Sequence, residues 1–482
     1  MDASACGSVS DRIETKSHEM GLTYANPLFF DGEGGGGSDV GGHLMHLLES
    51  AGLDPSLAGL ALFTGRDPLY ATPYRLGAAA SVAIAAVGIA YRMLVGRETG
   101  FTVDLPHSAL STQSFRYLKL NGLPVVSPRN ALTGFYRCGD DTTIFLHLNF
   151  PHHRARTQQV LGMLDGHHAI AERVLKWRGI DLVQAIIDAG SCAALVQSFD
   201  AWGRCEQAQV IAALPPVAVS KIASSTPEPL NKSRSQEILR QIAVVDCTRV
   251  LAGPVSGRTL AELGADVTRV EHPSYPDLLS YELDTGRNKA VRRLDLGQPS
   301  ERDQLMAMVR RADVFQQAFR PGVVERFGLT PEALSAFRPG LIYTSLSAFG
   351  HQGPWGARRG FDSVVQAATG LALTQGEGIP RLLPTSPIDY VSGYLMAFGT
   401  LVALKRREVE GGSYVVRCSL ARTAQWISDF GLVSRPTEAE EQFRVSALVD
   451  KLSVQTSTQH GRLTHLQPVL RALNARCAEE AS

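Results

Sequence analysis

Two aspartates stand where a carboxylate could act on a bound substrate. Asp389 lies in the segment Pro-Ile-Asp-Tyr-Val-Ser-Gly, close before residues 393–407, whose apolar pattern predicts a helix. Asp362 ends a second such segment, Arg-Arg-Gly-Phe-Asp. Asp389 could cap the N-terminus of the predicted helix, a role that aspartate often has. A carboxylate in a closed pocket can also attack an electrophilic carbonyl carbon, and the two roles are compatible.

The histidines and cysteines show no pattern typical of a metal site. His147, His152 and His153 are close in sequence, but no carboxylate at a ligand spacing completes a set. His351 is interpreted as a loop residue. The 7 cysteines are widely separated, with no CxxC pair. We therefore expect no metal ion, and reduced thiols of the kind found in cytoplasmic proteins.

The charge balance argues against the classes of protein that depend on a strong net field. Lys+Arg and Asp+Glu both total 47, so the formal net charge is zero, and neither nucleic acid nor an anionic membrane is expected as a partner. The longest apolar stretch, 77–96, contains Arg92 and predicts a buried core helix rather than a membrane span. Residues 1–20 contain no apolar core, so we expect no signal peptide and a cytoplasmic location.

Composition divides the 482-residue chain into folded and connecting parts. A glycine tract at 31–42 and a Ser-, Pro- and charge-rich stretch at 224–236 indicate flexible connections. The predicted organisation is a flexible N-terminal segment (1–42), a first folded region (43–225), a linker (226–240), a second folded region (241–436) and a C-terminal tail (437–482).

The second folded region alternates strand-like and helix-like patterns. Short apolar, β-branched runs predict strands at 242–250, 266–272, 312–319 and 341–349. Helical patterns lie between them, for example at 252–265. Such alternation predicts an α/β domain with a Rossmann-like parallel sheet and helices on both faces. This region contains no GxGxxG sequence, so nothing in it indicates a nicotinamide or flavin site.

Residues 74–105 and 390–420 resemble each other. Both have Tyr-x-x-Gly, an apolar helical stretch, a basic end, a glycine and a β-branched strand. Two explanations are open, namely chance similarity of two buried helices and partial duplication. In this alignment the position of Asp389 corresponds to Pro73, so the first copy would lack the carboxylate.

A run of short sequences in residues 242–425 resembles a known enzyme family. In order, it contains VVDCTRVLAGP, ELGADVTRVEHP, TGRNKAVRRLDL, ADVFQQAFRPGVVERFGL and PIDYVSGYLMAFGTLVALKRR. Their order and spacing are similar to those of class III CoA-transferases, the group of the formyl-CoA, carnitine-CoA and bile-acid CoA-transferases. Residues 134–225 resemble the family's smaller α+β domain, which ordinarily follows the catalytic half. The resemblance therefore implies the class III CoA-transferase fold in a rearranged, partly duplicated order.

The resemblance also implies the residues of a site. The family's single nucleophilic aspartate corresponds to Asp389. Positions that contact CoA in the family correspond to Leu251, Ala252, His272, Leu294, Asp295, Leu296, Gly297, Ala318, Phe319, Arg320, Arg326, Arg359, Gly360, Phe361 and Asp362. Family members often have glutamine or another polar residue at the position of Leu251, so the chain departs from the family there.

For function, the resemblance implies CoA transfer from an acyl-CoA thioester to a carboxylic acid, with no tightly bound cofactor. The nucleophile would pass through a mixed anhydride and an aspartyl-CoA thioester. The resemblance also implies a homodimer. An acyl-CoA racemase or isomerase of the same family is disfavoured, because its proton-transferring histidine corresponds to Phe361. A protein that binds CoA without catalysis is the other alternative.

Overall fold

The computed structural model describes residues 40–126, 129–163, 166–231, 238–320 and 322–473. The predicted flexible segment 1–42 lies outside the described residues up to position 39. The predicted linker 226–240 lies outside them at 232–237, and the predicted tail from 474 onward.

The strands follow one another along the chain as β1 (Ala61–Thr64), β2 (Phe101–Asp104), β3 (Lys119–Leu120), β4 (Leu123–Pro124), β5 (Gly134–Arg137), β6 (Thr143–Leu146), β7 (Ala193–Leu195), β8 (Ala218–Ala223), β9 (Ala243–Cys247), β10 (Asp266–Glu271), β11 (Lys289–Arg293), β12 (Val314–Gln317), β13 (Ile342–Ser347), β14 (Ser413–Ser419), β15 (Ser453–Thr458) and β16 (Gly461–Leu466).

The helices are α1 (Val40–Ser50), α2 (Leu76–Val95), α3 (Leu105–Ser111), α4 (Pro151–Leu161), α5 (His167–Val174), α6 (Gly179–Asp188), α7 (Phe199–Gly203), α8 (Glu206–Ala212), α9 (Ala252–Glu262), α10 (Leu279–Thr285), α11 (Pro299–Val309), α12 (Val323–Arg326), α13 (Pro331–Phe337), α14 (Asp362–Ala368), α15 (Leu371–Gln375), α16 (Pro387–Glu410), α17 (Leu420–Asp429) and α18 (Glu438–Leu452).

The largest sheet among the described residues has seven strands in the order β11-β10-β9-β12-β13-β14-β8. All neighbours pair in parallel except β8, which pairs antiparallel to β14. The chain builds outward from β9 to β11 and then crosses to β12, so the strand order reverses between β9 and β12. The predicted Rossmann-like parallel sheet is confirmed, and this reversal is a topological switch point.

Both faces of the sheet are covered by helices, as predicted. Val244 and Ile342 belong to the apolar core that also contains residues of α9 and α16. The next residue along each strand, Val245 and Tyr343, belongs to a second core with residues of α11 and α13. This division follows from the two-residue period of a strand, which sends consecutive side chains to opposite faces. Continuous β-branched runs are therefore buried on both sides.

A smaller α+β domain is built from the first folded region, as predicted. Its antiparallel sheet has the order β5-β6-β7. Residues of α4, α5 and α6 share a separate apolar core with this sheet. The chain then leaves through α7 and α8, and β8 becomes the edge strand of the large sheet. The two folded regions are thus joined by a shared sheet.

The internal sequence similarity has a structural counterpart. In each of the two similar segments a long helix, α2 or α16, is followed by a strand, β2 or β14, and then by a capped helix, α3 or α17. β2 pairs in parallel with β1, as β14 does with β13. The two long helices pack against each other. By length and composition both could cross a membrane, yet 94 % of each apolar window is buried inside the protein.

The residues after position 436 pack onto the first folded region. Helix α18 leads into the hairpin β15–β16, which pairs with β3 and β4 in an antiparallel sheet of order β15-β16-β3-β4. A carboxylate oxygen of Glu441 on α18 accepts a hydrogen bond from the Ala71 N–H at 2.6 Å. The chain segments before and after the large sheet therefore close against each other.

Candidate active site

Asp389 lies in the first turn of α16, two residues after Pro387, which is the first helical residue. Proline is favoured there because its fixed φ suits a helix start and its missing N–H has no helical acceptor to lose. The helix begins earlier than the predicted position 393. The N-cap is Ser386, and its side chain makes no capping bond. The interpretation of Asp389 as the N-cap is therefore wrong, and its side chain lies inside the helix start with the residue only 8 % exposed.

Asp362 supplies the acceptor that Ser386 does not. Its Oδ2 accepts a hydrogen bond from the Asp389 N–H at 3.0 Å, and its Oδ1 accepts one from Gln366 Nε2. Gln366 is held in turn, because its Oε1 accepts from the Leu383 N–H at 2.8 Å. The carboxylate of Asp362 is thus committed to the backbone of α16 and to Gln366. Any contact of this residue with CoA would come from its other atoms.

The two aspartates form a buried carboxyl pair. Burial raises the pKa of Asp389 well above its ordinary value, and the neighbouring charge of Asp362 raises it further. Burial also raises the pKa of Asp362 to about 6, although the Asp389 N–H and the Gln366 amide oppose the shift. Two neighbouring carboxyls that are both buried do not both ionise readily, so loss of the last proton from the pair is shifted to higher pH.

The surroundings of this pair come partly from the first folded region. Burial raises the pKa of Tyr281 to about 12, and the charge of Asp389 contributes. Arg129 and Arg116 oppose this shift, and Arg129 also lowers the pKa of Asp362. Positive charge from Arg129 of the first region therefore partly offsets the negative charge of Asp362. No sequence pattern around these arginines indicated such a role, since tertiary packing alone brings them here.

Most of the predicted CoA contacts lie at one edge of the large sheet. Leu251 and Ala252 follow β9, His272 follows β10, Leu294–Gly297 follow β11, and Ala318–Arg320 follow β12. These are the carboxyl ends of parallel strands, and β9 and β12 flank the switch point. In open α/β sheets the crevice at this place is where ligands bind. The structure thus brings together residues that are distant in sequence.

Leu251 is the N-cap residue of α9 and is 2 % exposed. Val250 before it has a φ of 72°, an unusual conformation for a β-branched residue, and its N–H bonds to Asp277 Oδ2 at 3.3 Å. This tight turn sends the chain from β9 directly into α9. A polar family residue would be solvated or ligand-bound here, whereas Leu251 packs into the core.

A row of aromatic rings extends from the carboxyl pair into the small domain. The ring of His147 lies 3.9 Å from that of Phe361, the residue before Asp362. His153 lies 5.7 Å from Phe361 and 4.3 Å from His152. Burial lowers the pKa of both His147 and His153 to about 3, so both rings are neutral.

The same row of rings reaches the predicted CoA residues on the sheet edge. His152 lies 6.3 Å from Tyr275, and Tyr275 lies 4.7 Å from His272. His272 Nε2 is 3.3 Å from Asp295 Oδ1. The row therefore joins the carboxyl end of the site to the residues that follow β10 and β11. Sequence reasoning considered a functional role for the three histidines of the small domain only as metal ligands and missed this placement.

Two predicted CoA contacts, Arg326 and Gly360, do not lie at the sheet edge. Arg326 is exposed at the end of α12, 5.3 Å from the centroid of the Phe327 ring. Gly360 packs so closely that an added Cβ would lie 2.6 Å from the Ala348 Cβ. This close approach fixes the chain that carries Arg359 and Phe361. Across the parts of the chain that the structure describes, no group of three or more metal-binding side chains is present.

Residues 239–453 match the family described as CoA-transferase family III. The match covers less than half of the 482-residue chain, so the likeness to CoA-transferase family III is shown for this part of the chain. "Probable fatty acyl-CoA transferase Rv3272" of Mycobacterium tuberculosis is 36 % identical over 192 residues, which cover 37 % of this chain and 49 % of that protein. The "Succinyl-CoA--L-malate CoA-transferase alpha subunit" of Chloroflexus aurantiacus is 31 % identical over 223 residues, covering 42 % and 52 %.

A crystal structure of Rv3272 covers 39 % of this chain, at 35 % identity and a TM-score of 0.37, and 56 % of its own length is covered. The chain spans about half the length of these two curated relatives. The carboxyl pair and the sheet edge lie within the family III match, whereas Arg116, Arg129 and the small-domain histidines lie before it. The site is therefore assembled from the family III region and a preceding region.

Proposed function

We propose that this protein is an acyl-CoA:carboxylate CoA-transferase with Asp389 as its nucleophile. The observation that carries the proposal is the buried Asp362–Asp389 pair at the start of α16, a helix inside the family III match that packs against α9, which follows β9 at the switch point. A crevice at the strand ends suits an extended cofactor such as CoA, and a dry carboxyl suits attack on its thioester.

The proposed reaction requires only the acyl-CoA donor, the carboxylate acceptor and Asp389. The Asp389 carboxylate attacks the thioester carbonyl, the carbon–sulfur bond breaks, and CoA thiolate leaves a mixed anhydride. The thiolate then attacks the aspartyl carbonyl, which releases the donor carboxylate and forms an aspartyl-CoA thioester. The acceptor carboxylate attacks this thioester and expels the thiolate. Attack of the thiolate on the acceptor's carbonyl gives the new acyl-CoA and regenerates Asp389.

The environment of Asp389 supports this chemistry. Burial removes the hydration that stabilises a carboxylate in water, so an ionised Asp389 is more reactive than a solvated one. The N-terminus of α16 and the field of Arg129 favour the negative charge that remains. Remote contacts along the sheet edge would hold CoA and orient the thioester.

The racemase alternative finds little support in the geometry. Phe361 occupies the histidine position of that activity, and the nearest ring to replace it is His147. Burial lowers the pKa of His147 to about 3, so the imidazolium that proton transfer requires is disfavoured. We further infer a cytoplasmic homodimer, which rests on the resemblance alone.

Trapping of the acyl-enzyme tests the proposal. Incubation with a panel of acyl-CoAs, followed by hydroxylamine or borohydride and mass spectrometry, should give an adduct on the peptide that contains Asp389. Asp389→Ala should give none. Asp67→Asn is the matched control, because the half-buried Asp67 carboxylate likewise accepts hydrogen bonds from the first turn of a core helix, from the Gly77 N–H at 3.1 Å and the Ala78 N–H at 2.8 Å. Its adduct should equal that of the wild type.

Two outcomes would contradict the proposal. In the first, wild-type protein binds CoA but gives no adduct with any acyl-CoA, which indicates a binding protein without catalysis. In the second, α-protons exchange into deuterated water without CoA transfer, which indicates the racemase. Mixed acyl-CoA donors and carboxylate acceptors, analysed by mass spectrometry, would identify the substrates.

A further inference from the structure

Arginines from both folded regions converge beside the site. Arg156 lies on α4 of the small domain, and Arg359 lies before α14. A Cβ placed on Gly190 would be 3.1 Å from Arg359 Nη1 and 3.4 Å from Arg156 Nη1. Arg156 Nη1 also donates to the Gly190 carbonyl oxygen at 2.7 Å. The two guanidinium groups therefore approach one point, held there by the loop around Gly190.

A third arginine adds its charge at the end of β12. Arg320 follows that strand at the switch point. Burial lowers the pKa of Arg359, and the positive charges of Arg320 and Arg156 lower it further. Burial and Arg156 likewise lower the pKa of Arg320. The three cations are thus close enough to repel one another.

No carboxylate of a described residue lies within salt-bridge distance of Arg156, Arg320 or Arg359. By contrast, the nearby Arg249 is 3.2 Å from Asp277 Oδ1. The Nε of Arg359 is buried and has no hydrogen-bond partner among the described residues. Clustered guanidinium groups without a counter-charge are unfavourable, and an unsatisfied buried donor adds to the imbalance. The cluster therefore favours a bound anion.

We propose that Arg156 joins Arg320 and Arg359 in binding a phosphate group of the CoA thioester, so that the bound nucleotide bridges the small domain and the family III region. This inference rests on the proposed function. Guanidinium groups bind phosphate in a planar, bidentate manner, and the cluster adjoins the crevice at the end of β12. His152, whose pKa is lowered by burial and then by these arginines, lies on the same side.

Isothermal titration of the full chain with CoA tests this role. Arg156→Gln should weaken CoA binding about 10- to 100-fold, as expected when a charged hydrogen bond is lost, and should reduce its salt dependence. Arg154→Gln, two residues away on α4, is the matched control and should change affinity less than about twofold. Dephospho-CoA and inorganic phosphate, titrated in parallel, distinguish the 3′-phosphate from the diphosphate and from a free anion.

Arg156→Lys keeps the positive charge and can keep the bond to Gly190, so it serves if the glutamine variant does not fold. It should bind CoA several-fold more weakly than the wild type, because an ammonium cannot bind in a bidentate manner. Unchanged CoA affinity in a folded Arg156 variant, with a trapped adduct at Asp389 intact, overturns this inference alone. Absence of any CoA binding to wild-type protein overturns the proposed function as well.

Discussion

At the scale of single residues, the carboxyl pair of Asp362 and Asp389 would link the proposed catalysis to pH. In that reaction the attacking carboxylate of Asp389 must be ionised, and the neighbouring carboxyl makes ionisation harder. Asp362 nevertheless cannot be dispensed with, because it accepts the hydrogen bond of the Asp389 N–H that no N-cap side chain takes. In the proposed reaction the Asp362 carboxylate is a positioning group, because it holds the backbone of Asp389.

We predict that Asp362→Asn moves the acid limb of the kcat/KM–pH profile to lower pH. Loss of the adjacent negative charge lowers the pKa of Asp389, so the nucleophile is ionised at lower pH. Asp67→Asn should leave the limb in place, because the pKa of Asp67 is raised to about 6 by its own burial. If the acid limb is unshifted in Asp362→Asn, the charge of Asp362 does not control the ionisation of Asp389.

The same pair should limit stability at alkaline pH. A carboxyl whose pKa is raised by folding contributes stability below its unfolded pKa, and this contribution is lost as pH rises through the folded value. Burial and the charge of Asp362 raise the pKa of Asp389 well above its ordinary value, so ionisation of Asp389 lowers stability at alkaline pH. We expect Asp389→Asn to have a higher free energy of unfolding than the wild type at pH 8.

Urea unfolding at pH 4.5 and pH 8 provides the measurement. The advantage of Asp389→Asn should shrink at the acid end, where the wild-type pair is already protonated. If the wild type and Asp389→Asn have equal free energies of unfolding at both pH values, the pair does not share a proton in the folded protein.

At the scale of elements, the crossing of α9 and α16 sets the position of Asp389 relative to the predicted CoA contacts. Helix α16 carries Asp389, and the start of α9 carries two predicted CoA contacts, Leu251 and Ala252. The helices approach closely at Gly393, where an added Cβ would lie 2.5 Å from the Ala252 carbonyl oxygen and 2.7 Å from the Val255 side chain. Backbone that close cannot be relieved by a side-chain rotation.

Gly393→Ala should therefore destabilise the protein by about 1–3 kcal/mol, the usual effect of overpacking a core. It should also lower kcat/KM, since separation of the helices would move Asp389 away from the crevice proposed to bind CoA. Gly203→Ala is the control, because no atom lies within 4 Å of its added Cβ, and its effect should stay within about 0.5 kcal/mol. Thermal unfolding and steady-state kinetics together measure both effects.

The sequence predicted elements better than it predicted the groups around the site. Strands such as β9 and β13 are apolar, β-branched runs, and burial on both faces leaves that pattern directly in the sequence. The start of α16 was missed because its first turn, with Pro387 and Asp389, has the composition of a loop. Arg129 and Arg156 were missed for another reason, since they reach the site only through packing of the small domain.

At the scale of the whole molecule, a buried polar network joins the two folded regions. Ser114, from the first region, donates to Asp284 Oδ2 at 2.7 Å, and the Tyr390 hydroxyl donates to the same oxygen at 2.9 Å. Arg258 Nη1 lies 2.8 Å from Asp284 Oδ1, and the side chains of both residues are at most 4 % exposed. Tyr390 follows Asp389 directly, so this network also anchors the first turn of α16.

We predict that Asp284→Asn destabilises the protein by about 3 kcal/mol, because it removes the nearer counter-charge of the buried Arg258 and leaves only Glu262, whose Oε1 is 3.7 Å from Arg258 Nε. Ser114→Ala removes one hydrogen bond to a charged group and should cost about 1.5–3 kcal/mol. Burial alone would raise the pKa of Asp284, but Arg258 and Arg287 more than offset this and lower it. Its contribution is therefore present above about pH 4 and is lost as pH falls further.

Urea unfolding between pH 3 and pH 7 checks the sign. The difference between wild type and Asp284→Asn should be full at pH 7 and should shrink in the acid range, the reverse of the trend expected for Asp389→Asn. If the two folded regions depend on this network, the variant should also lose the single cooperative transition and unfold in two steps. A small loss of stability that is independent of pH would place the coupling of the two regions in apolar packing between α2 and α16 instead.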